Sequence, residues 1–328
     1  MKRLICLFCV TVILFTLSSC GRRAMDASYG DDGKMLFLVA GLDEAAENTD
    51  VLFTLGIDTN ENRSYIAQIP RDTYFNFGKS QNKINQIYSS QRACGVAEDS
   101  AMNTLVNCLG EALGCDFDGY LALKISAVGD IVDIIGGIDI ELKSDMQIKL
   151  DGEEPISLKA GKNHINGTVA QSFVRYREGY ASADLGRIDA QKLFLNSLFA
   201  KMSSGMSLPA LFSLAKHFEK NSYTNVRLTE FVPIIFKACF STKSPLAYFV
   251  TMPGEADVTE SGLSYYFLNK TASGRVAQKY MFAKNEFDSK KIFVNTSQKS
   301  FINIYNDENL VYNEYSGDDV HEISLDKR

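Results

Sequence analysis

The sequence predicts an α/β fold: an α/β/α layered domain whose central mixed β-sheet is flanked by helices. Met35 to Leu42 and Val51 to Ile57 are continuous apolar runs of strand length, the pattern of strands covered on both faces. From Tyr120 to Leu142 the chain reads strand, helix, strand, a βαβ-like unit. With 328 residues, 45% hydrophobic and 23% charged, the chain has ordinary globular composition and length for one large domain.

The elements follow in order. Lys2-Arg3 precede an apolar run, Leu4 to Leu17, too short for a comfortable membrane span and suited to a signal-peptide core. It ends Leu17-Ser18-Ser19-Cys20-Gly21, which resembles a bacterial lipobox, so Cys20 is the expected lipidation site. An ordinary cleaved leader with an incidental Cys is the alternative. Residues 1–20 are thus expected to be a lipoprotein signal peptide and 21–33 a polar tether, holding the protein at the extracytoplasmic face of a bacterial cell membrane. The two apolar runs come next, then a turn at Asp58 to Asn62 and a strand over Tyr65 to Ile69. Three strands in quick succession imply an antiparallel portion of the sheet.

Ile84, Ile87 and Tyr88 share a helical face, and Glu98 to Leu113 carries Met102, Leu105, Val106, Leu109 and Leu113 at helical intervals before Gly114. Tyr120 to Ile125 reads as a strand. Ser126 is the expected N-cap of a helix closed by Gly136-Gly137, and Ile138 to Leu142 is the next strand. A hairpin is expected near Ile156-Leu158, and helices over Thr168–Tyr176, Leu185–Met202, Leu208–Phe218 and Thr229–Phe240. Tyr248 to Met252 is a late strand, and the last ~40 residues read as an appended strand-and-loop tail. The expected domain spans 34–285, with a C-terminal extension over 286–328.

Composition narrows the function. A net charge of -6 disfavours a nucleic-acid surface, although an acidic protein can hold a local basic cluster. Of seven cysteines, Cys94, Cys108, Cys115 and Cys239 lie beyond the leader, with no CxxC pair, and the three histidines are scattered, so zinc is not expected. Cys94 with Cys108 or Cys115 is a possible disulfide; buried free thiols are the other reading. There is no Walker-A loop and no G-x-S-x-G.

The charged residues point elsewhere. Pro70 has no N–H and should stop the ladder, leaving Arg71 and Asp72 at a strand end, where open α/β sheets place ligands. Arg71 suits a phosphate through its planar fork; a sheet-edge Arg–Asp pair is the plain alternative. Asp43 and Asp50 flank the first two strands and converge if these form a hairpin. Two carboxylates plus phosphate oxygens are a usual Mg²⁺ environment, whereas two solvated loop acids need no metal. Lys83 stands at a helix start. Arg175 and Arg177 share a side if extended, and Arg187 and Gln191 share a helix face, with Asp184 near that helix's N-terminus. Such guanidiniums repel one another unless an anion sits among them, or unless they line a solvated loop.

These residues resemble the LytR-CpsA-Psr family of cell-wall glycopolymer ligases. The resemblance rests on Gly41-Leu42-Asp43, Asn48-Thr49-Asp50, Ile69-Pro70-Arg71-Asp72-Thr73, Asn82-Lys83-Ile84-Asn85, Gly136 to Ile140, Gly161 to Gly167, Arg175-Tyr176-Arg177, and Asp184-Leu185-Gly186-Arg187 with Gln191. It implies a phosphotransferase that moves a glycopolymer from a polyprenyl-pyrophosphate carrier to peptidoglycan through a phosphodiester. It also implies Mg²⁺ (or Mn²⁺) on Asp43 and Asp50. Arg71, Lys83, Arg175, Arg177, Arg187 and Gln191 would hold the pyrophosphate, with Arg71, Asp184 and Arg187 as the catalytic set. Asp184 would orient the arginines or help activate the acceptor hydroxyl. A tunnel between sheet and helices, rich in apolar residues from 99–135 and 193–240, would take the lipid. The chain departs from the family at Glu44-Ala45 and Ala190, where basic residues are frequent, and in having a lipobox rather than an uncleaved helix. A lipid-pyrophosphate phosphohydrolase and a non-catalytic lipoprotein that binds wall polymer or anionic lipid are the competing readings.

Overall fold

The computed structural model of the protein describes residues 32–77, 83–150, 152, 154–182, 184–226, 246–259, 262–292 and 299–325. The expected lipobox with Cys20, most of the tether, the helix over Thr229–Phe240 and Cys239 lie outside them.

The chain opens with β1 (Lys34–Leu42), β2 (Thr49–Asp58) and β3 (Arg63–Gln68), an antiparallel meander. Two helices follow, α1 (Asn85–Ala93) and α2 (Glu98–Leu113). Helix α2 stops at Gly114, whose φ of 69° is left-handed; a Cβ there would strike the carbonyl of Asn285, so only glycine fits. Strand β4 (Gly119–Lys124) then runs parallel to β1. Beyond α3 (Ser126–Ile134) come β5 (Ile138–Leu142), β6 (Met146–Ile148), β7 (Ile156–Leu158) and β8 (Gly161–Ile165), which pair as two small ribbons, β5 with β8 and β6 with β7. Helices α4 (Gly167–Arg175), α5 (Asp184–Ser203) and α6 (Leu208–Asn221) lead to β9 (Ser222–Thr224). The rest comprises β10 (Leu246–Thr251), the β11 (Gly254–Val258)–β12 (Ser264–Leu268) ribbon, α7 (Lys270–Tyr280), α8 (Ser289–Ile292), α9 (Lys299–Asn306) and β13 (Glu314–Ser316).

The central sheet has seven strands in the order β13-β10-β3-β2-β1-β4-β9, mixed in direction, and helices cover both faces. The α/β/α expectation holds. On one face Leu36, Leu38, Ala40 and Leu42 of β1 pack with Ile87, Tyr88, Met102, Leu105 and Leu109 from α1 and α2. On the other, Phe53, Ile66 and Phe249 pack with Val132, Phe173 and Leu193. Each fully buried large apolar side chain contributes about 1.5–3 kcal/mol. The double cover explains why β1 and β2 read as continuous apolar runs.

Three expectations need correction. The strand–helix–strand segment is not a βαβ unit in one sheet, because β5 pairs with β8 outside the central sheet. Its alternating buried and exposed residues cover one face only, which suits a ribbon lying on α5. Ser126 is not a side-chain cap; it is the first helical residue, and its N–H (3.2 Å) and hydroxyl (3.0 Å) both donate to Glu44. The C-terminal residues are not a strand-and-loop tail hung outside the fold: β13 pairs with β10 as an edge of the central sheet, and Ile292 and Tyr305 enter the core. Cys94, Cys108 and Cys115 are free thiols, so no disulfide joins them.

Strands β1, β3 and β4 run the same way, so Asp43, Arg71 and Ser126 all emerge at one edge of the sheet. Asp50 lies there too, since β2 begins where β1 ends and Gly41 pairs with Val51.

Candidate functional site

At this edge Asp43, Asn48, Asp50, Arg71, Asp72, Lys83, Asn85 and Gln86 line one polar cavity of about 300 Å³. The Pro70 turn is fixed by main-chain bonds. Ile69 N–H makes the last bond to Leu52 O (2.9 Å), the Thr73 hydroxyl closes on Pro70 O (2.6 Å), and Asp72 O accepts from Tyr266 N–H of β12 (3.0 Å). Pro70 ends the ladder as its missing N–H requires, and the arginine after it leaves a backbone held on three sides.

The β1–β2 loop carries the carboxylates. Asp43 accepts from Glu47 N–H at Oδ1 (2.8 Å) and from the Asn48 side chain at Oδ2 (2.7 Å). Burial alone would push its carboxyl up, but these bonds and those from the Asn48 and Ala46 N–H groups outweigh it and hold the pKa below the ordinary value. Asp43 is therefore a preformed anion. Asp50 Oδ1 accepts from Arg71 Nη1 at 2.8 Å.

Arg71 is the centre of a network. Besides Asp50 it has Asp184 at 3.9 Å and Asp72 at 4.0 Å from Nε. Burial opposes its charge, but Asp184, Asp72 and Asp50 together raise its pKa. Asp72 is closer to Lys83, at 2.9 Å, so its main partner is the lysine rather than the neighbouring arginine. Arg187, buried at 7% exposure, puts Nη2 2.7 Å from Asp184 Oδ1 and 3.4 Å from the Asp50 carbonyl. Burial lowers its pKa against the pull of Asp184, and the charges of Arg71 and Arg177 lower it further. Two buried guanidinium N–H groups, Arg71 Nε and Arg187 Nε, have no hydrogen-bond acceptor among the described residues. Each wants an oxygen, and an unmade buried bond of this kind costs about 1–3 kcal/mol.

Of the sequence candidates, Asp184, Arg187, Arg175, Arg177 and Gln191 do not line the cavity. Arg175 ends α4 and Arg177 follows it, both exposed, with Tyr176 buried between them in extended backbone. Gln191 is 5% exposed and turned inward: it donates to Val174 O (3.1 Å) and accepts from Gln68 (3.3 Å). Its amide joins the end of β3, before Arg71, to the end of α4, before Arg175. The site residues expected from the sequence leave out Asn85, whose buried Oδ1 lacks a partner among the described residues and which stands in the motif with Lys83, and they leave out Gln86. Both open α1, directly after Lys83 and Ile84.

No group of three or more His, Cys, Asp or Glu side chains is placed to cage a metal among the described residues. Asp43 and Asp50 nevertheless face one cavity, and Mg²⁺ typically takes one or two carboxylates and completes its shell with water and phosphate oxygens. The pair fits that kind of ion. The apolar cavity lined by Ile69, Phe75, Ile84, Leu109, Leu113 and Met252 holds only about 10 Å³, space for at most one water and not for a lipid chain. The second stretch expected to line a tunnel falls partly outside the described residues.

Asp43 and Asp50 thus share one cavity with Arg71 and Lys83 at the end of the strands of an α/β/α sheet. Comparison gives the family: residues 18–281 match the LytR_cpsA_psr family, and the chain belongs to it. Among curated relatives, the polyisoprenyl-teichoic acid–peptidoglycan teichoic acid transferase TagV of Bacillus subtilis (strain 168) is 30% identical over 188 residues, 56% of this chain and 46% of TagV. TagT of the same organism is 26% identical over 233 residues, covering 70% of this chain and 67% of TagT. The chain thus spans about half the length of TagV, and two thirds of TagT. The crystal structure of B. subtilis TagV superposes with a TM-score of 0.63 at 24% identity, covering 78% of this chain and 100% of that one. Protein gbs0355 from Streptococcus agalactiae gives 0.67 at 19%, covering 85% and 98%. These likenesses establish the shared fold.

Proposed function

We propose that the protein is a phosphotransferase that moves a glycopolymer from a polyprenyl-pyrophosphate carrier to a hydroxyl of peptidoglycan, leaving a phosphodiester link, in cell-wall biogenesis. The observation that carries this reading is that Arg71 and Lys83 share one cavity with Asp43 and Asp50, while Arg187 stands against Asp184 and the Asp50 carbonyl. A plain anion receptor gains nothing from two carboxylates next to its ligand. A site for pyrophosphate with a divalent cation uses both halves. The names of TagV and TagT agree with this chemistry.

In the proposed reaction the acceptor hydroxyl attacks the phosphorus that bears the glycan. The bond from that phosphorus to the bridging oxygen breaks, polyprenyl phosphate leaves, and the proton of the acceptor hydroxyl passes to that phosphate or to water. Phosphoryl transfer mainly needs positioning and charge neutralisation. Arg71 and Lys83 approach the pyrophosphate from the β3 side, and Arg187 from the α5 side. Asp184, between Arg71 and Arg187, orients both guanidiniums. Asp43 and Asp50 are the residues that would hold Mg²⁺ (or Mn²⁺), which when bound neutralises pyrophosphate charge. Arg175 and Arg177 draw the anionic substrate to the mouth of the site, and Gln191 keeps the two arginine-bearing segments in register.

The lipobox reading adds a place. With a lipid on Cys20, the domain acts at the extracytoplasmic face of the cell membrane, where its lipid-linked substrate resides. No helix among the described residues is long and apolar enough to cross a membrane.

The test is reconstitution with a polyprenyl-pyrophosphate oligosaccharide, Mg²⁺ and peptidoglycan oligomer. The expected product is glycan joined to peptidoglycan with release of polyprenyl phosphate. Released glycan phosphate without a joined product indicates the hydrolase, and binding without turnover indicates the receptor.

A further inference from the structure

The loop that presents Asp43 is strained and held from outside. Ala46, two residues before Asn48, has a φ of 55°, in the left-handed region, and is buried at 2% exposure. A non-glycine residue stays there only when its surroundings over-determine it. The surroundings are on α1. The Tyr88 hydroxyl donates to Ala46 O at 3.0 Å, and Arg92 Nε donates to the same carbonyl at 3.3 Å. Arg92 is itself anchored, by Glu98 Oε1 at 2.7 Å and by Val96 O at 2.5 Å. On the far side of the loop, Glu44 accepts both Ser126 bonds at the start of α3. Between these fastenings lies the turn in which Ala46 N–H returns to Asp43 O (3.0 Å) and Asp43 N–H donates to Asn48 O (3.1 Å). The conformation of Ala46 therefore sets the direction of the Asp43 carboxylate.

We propose that Tyr88 and Arg92 are positioning residues for Asp43: by gripping the Ala46 carbonyl they hold the β1–β2 loop in the shape that aims Asp43 at a divalent cation. The inference rests on the reading of Asp43 and Asp50 as metal ligands. Neither Tyr88 nor Arg92 lines the cavity. Their contribution is like that of groups that orient metal ligands from behind, whose loss typically costs about 10–100-fold in metal affinity.

The experiment measures Mn²⁺ affinity by electron paramagnetic resonance on the full chain, alongside the metal dependence of transfer and thermal unfolding. Arg92→Met and Tyr88→Phe should weaken Mn²⁺ binding about tenfold. They should raise the metal concentration needed for half-maximal rate while largely keeping the rate at saturating metal. Arg92→Lys, which retains a donor, should recover part of the affinity. Asp43→Asn is the control for the underlying reading. If Asp43→Asn weakens binding while Tyr88→Phe and Arg92→Met stay within twofold of wild type, the clamp is wrong and the metal site stands. If Asp43→Asn itself binds Mn²⁺ like wild type, the metal reading falls and takes the clamp with it. If Arg92→Met fails to fold, Arg92→Lys and Tyr88→Phe decide the matter.

Discussion

The molecule contains two kinds of arginine, and their difference explains how the site is built. Arg71 and Arg187 are at least partly buried, each within 4 Å of Asp184, with an N–H left over. Arg175, the last residue of α4, and Arg177, just after it, are exposed. A buried guanidinium is costly to hold, and neighbouring carboxylates offset that cost. It is then already desolvated and oriented when an anion arrives. An exposed guanidinium costs nothing to hold, but its pull is screened by salt. Under the proposed function the inner pair would serve the transition state and the outer pair capture.

Substitutions sharpen this contrast. The largest effect is expected for Arg71→Ala or Arg187→Ala, which should lower the transfer rate roughly 10²–10³-fold, by analogy with removing one preorganised donor from a developing charge. Circular dichroism should show the fold intact. Asp184→Asn comes next, since it leaves Arg187 buried beside Arg71 without its nearest counter-charge. Its unfolding free energy should drop by about 2 kcal/mol, between the values for exposed and buried pairs. Arg175→Gln and Arg177→Gln should act mainly through association. At low salt we expect roughly a several-fold rise in the substrate concentration for half-maximal rate, which shrinks as salt approaches the range where the screening length is about 8 Å. A salt-independent loss of rate would place these side chains in the inner set.

The smallest effect is a pH dependence of stability. The folded pKa of Asp43 is depressed. Its contribution is therefore present above the ordinary value of 3.8 and lost as pH falls below it, through the lower folded pKa. Wild type should lose this increment on acidification, and Asp43→Asn, which cannot ionise there, should not. Thermal unfolding of both proteins between pH 6 and the acid limit measures the difference.

The same contrast marks what the sequence made legible. Strand ends were readable because continuous apolar runs stop at polar residues, and Pro70 stops a ladder for a local reason. Asp43, Asp50, Arg71 and Arg187 stood out by residue type at strand and helix ends, and the fold gathers them. Gln191 was different: on a helix face four residues from Arg187 it looked like a ligand, yet its amide turns to Val174 O and Gln68. That choice depends on α4 and β3 lying beside α5, which no local pattern states. Asp72 likewise finds Lys83 across the turn. The Glu44 that departs from the family pattern has a use visible only in three dimensions, at the start of α3. The β13 edge strand is only three residues long, so its pairing with β10 is a tertiary fact.

The central claim is that Arg71 and Arg187 together grip a lipid-linked pyrophosphate for transfer. Its most direct test is single-turnover transfer of a polyprenyl-pyrophosphate oligosaccharide to peptidoglycan oligomer by wild type, Arg71→Ala and Arg187→Ala, with Mg²⁺ saturating and the enzyme in excess. The account predicts joined product with wild type and almost none with either variant. Undiminished transfer by both variants would contradict it.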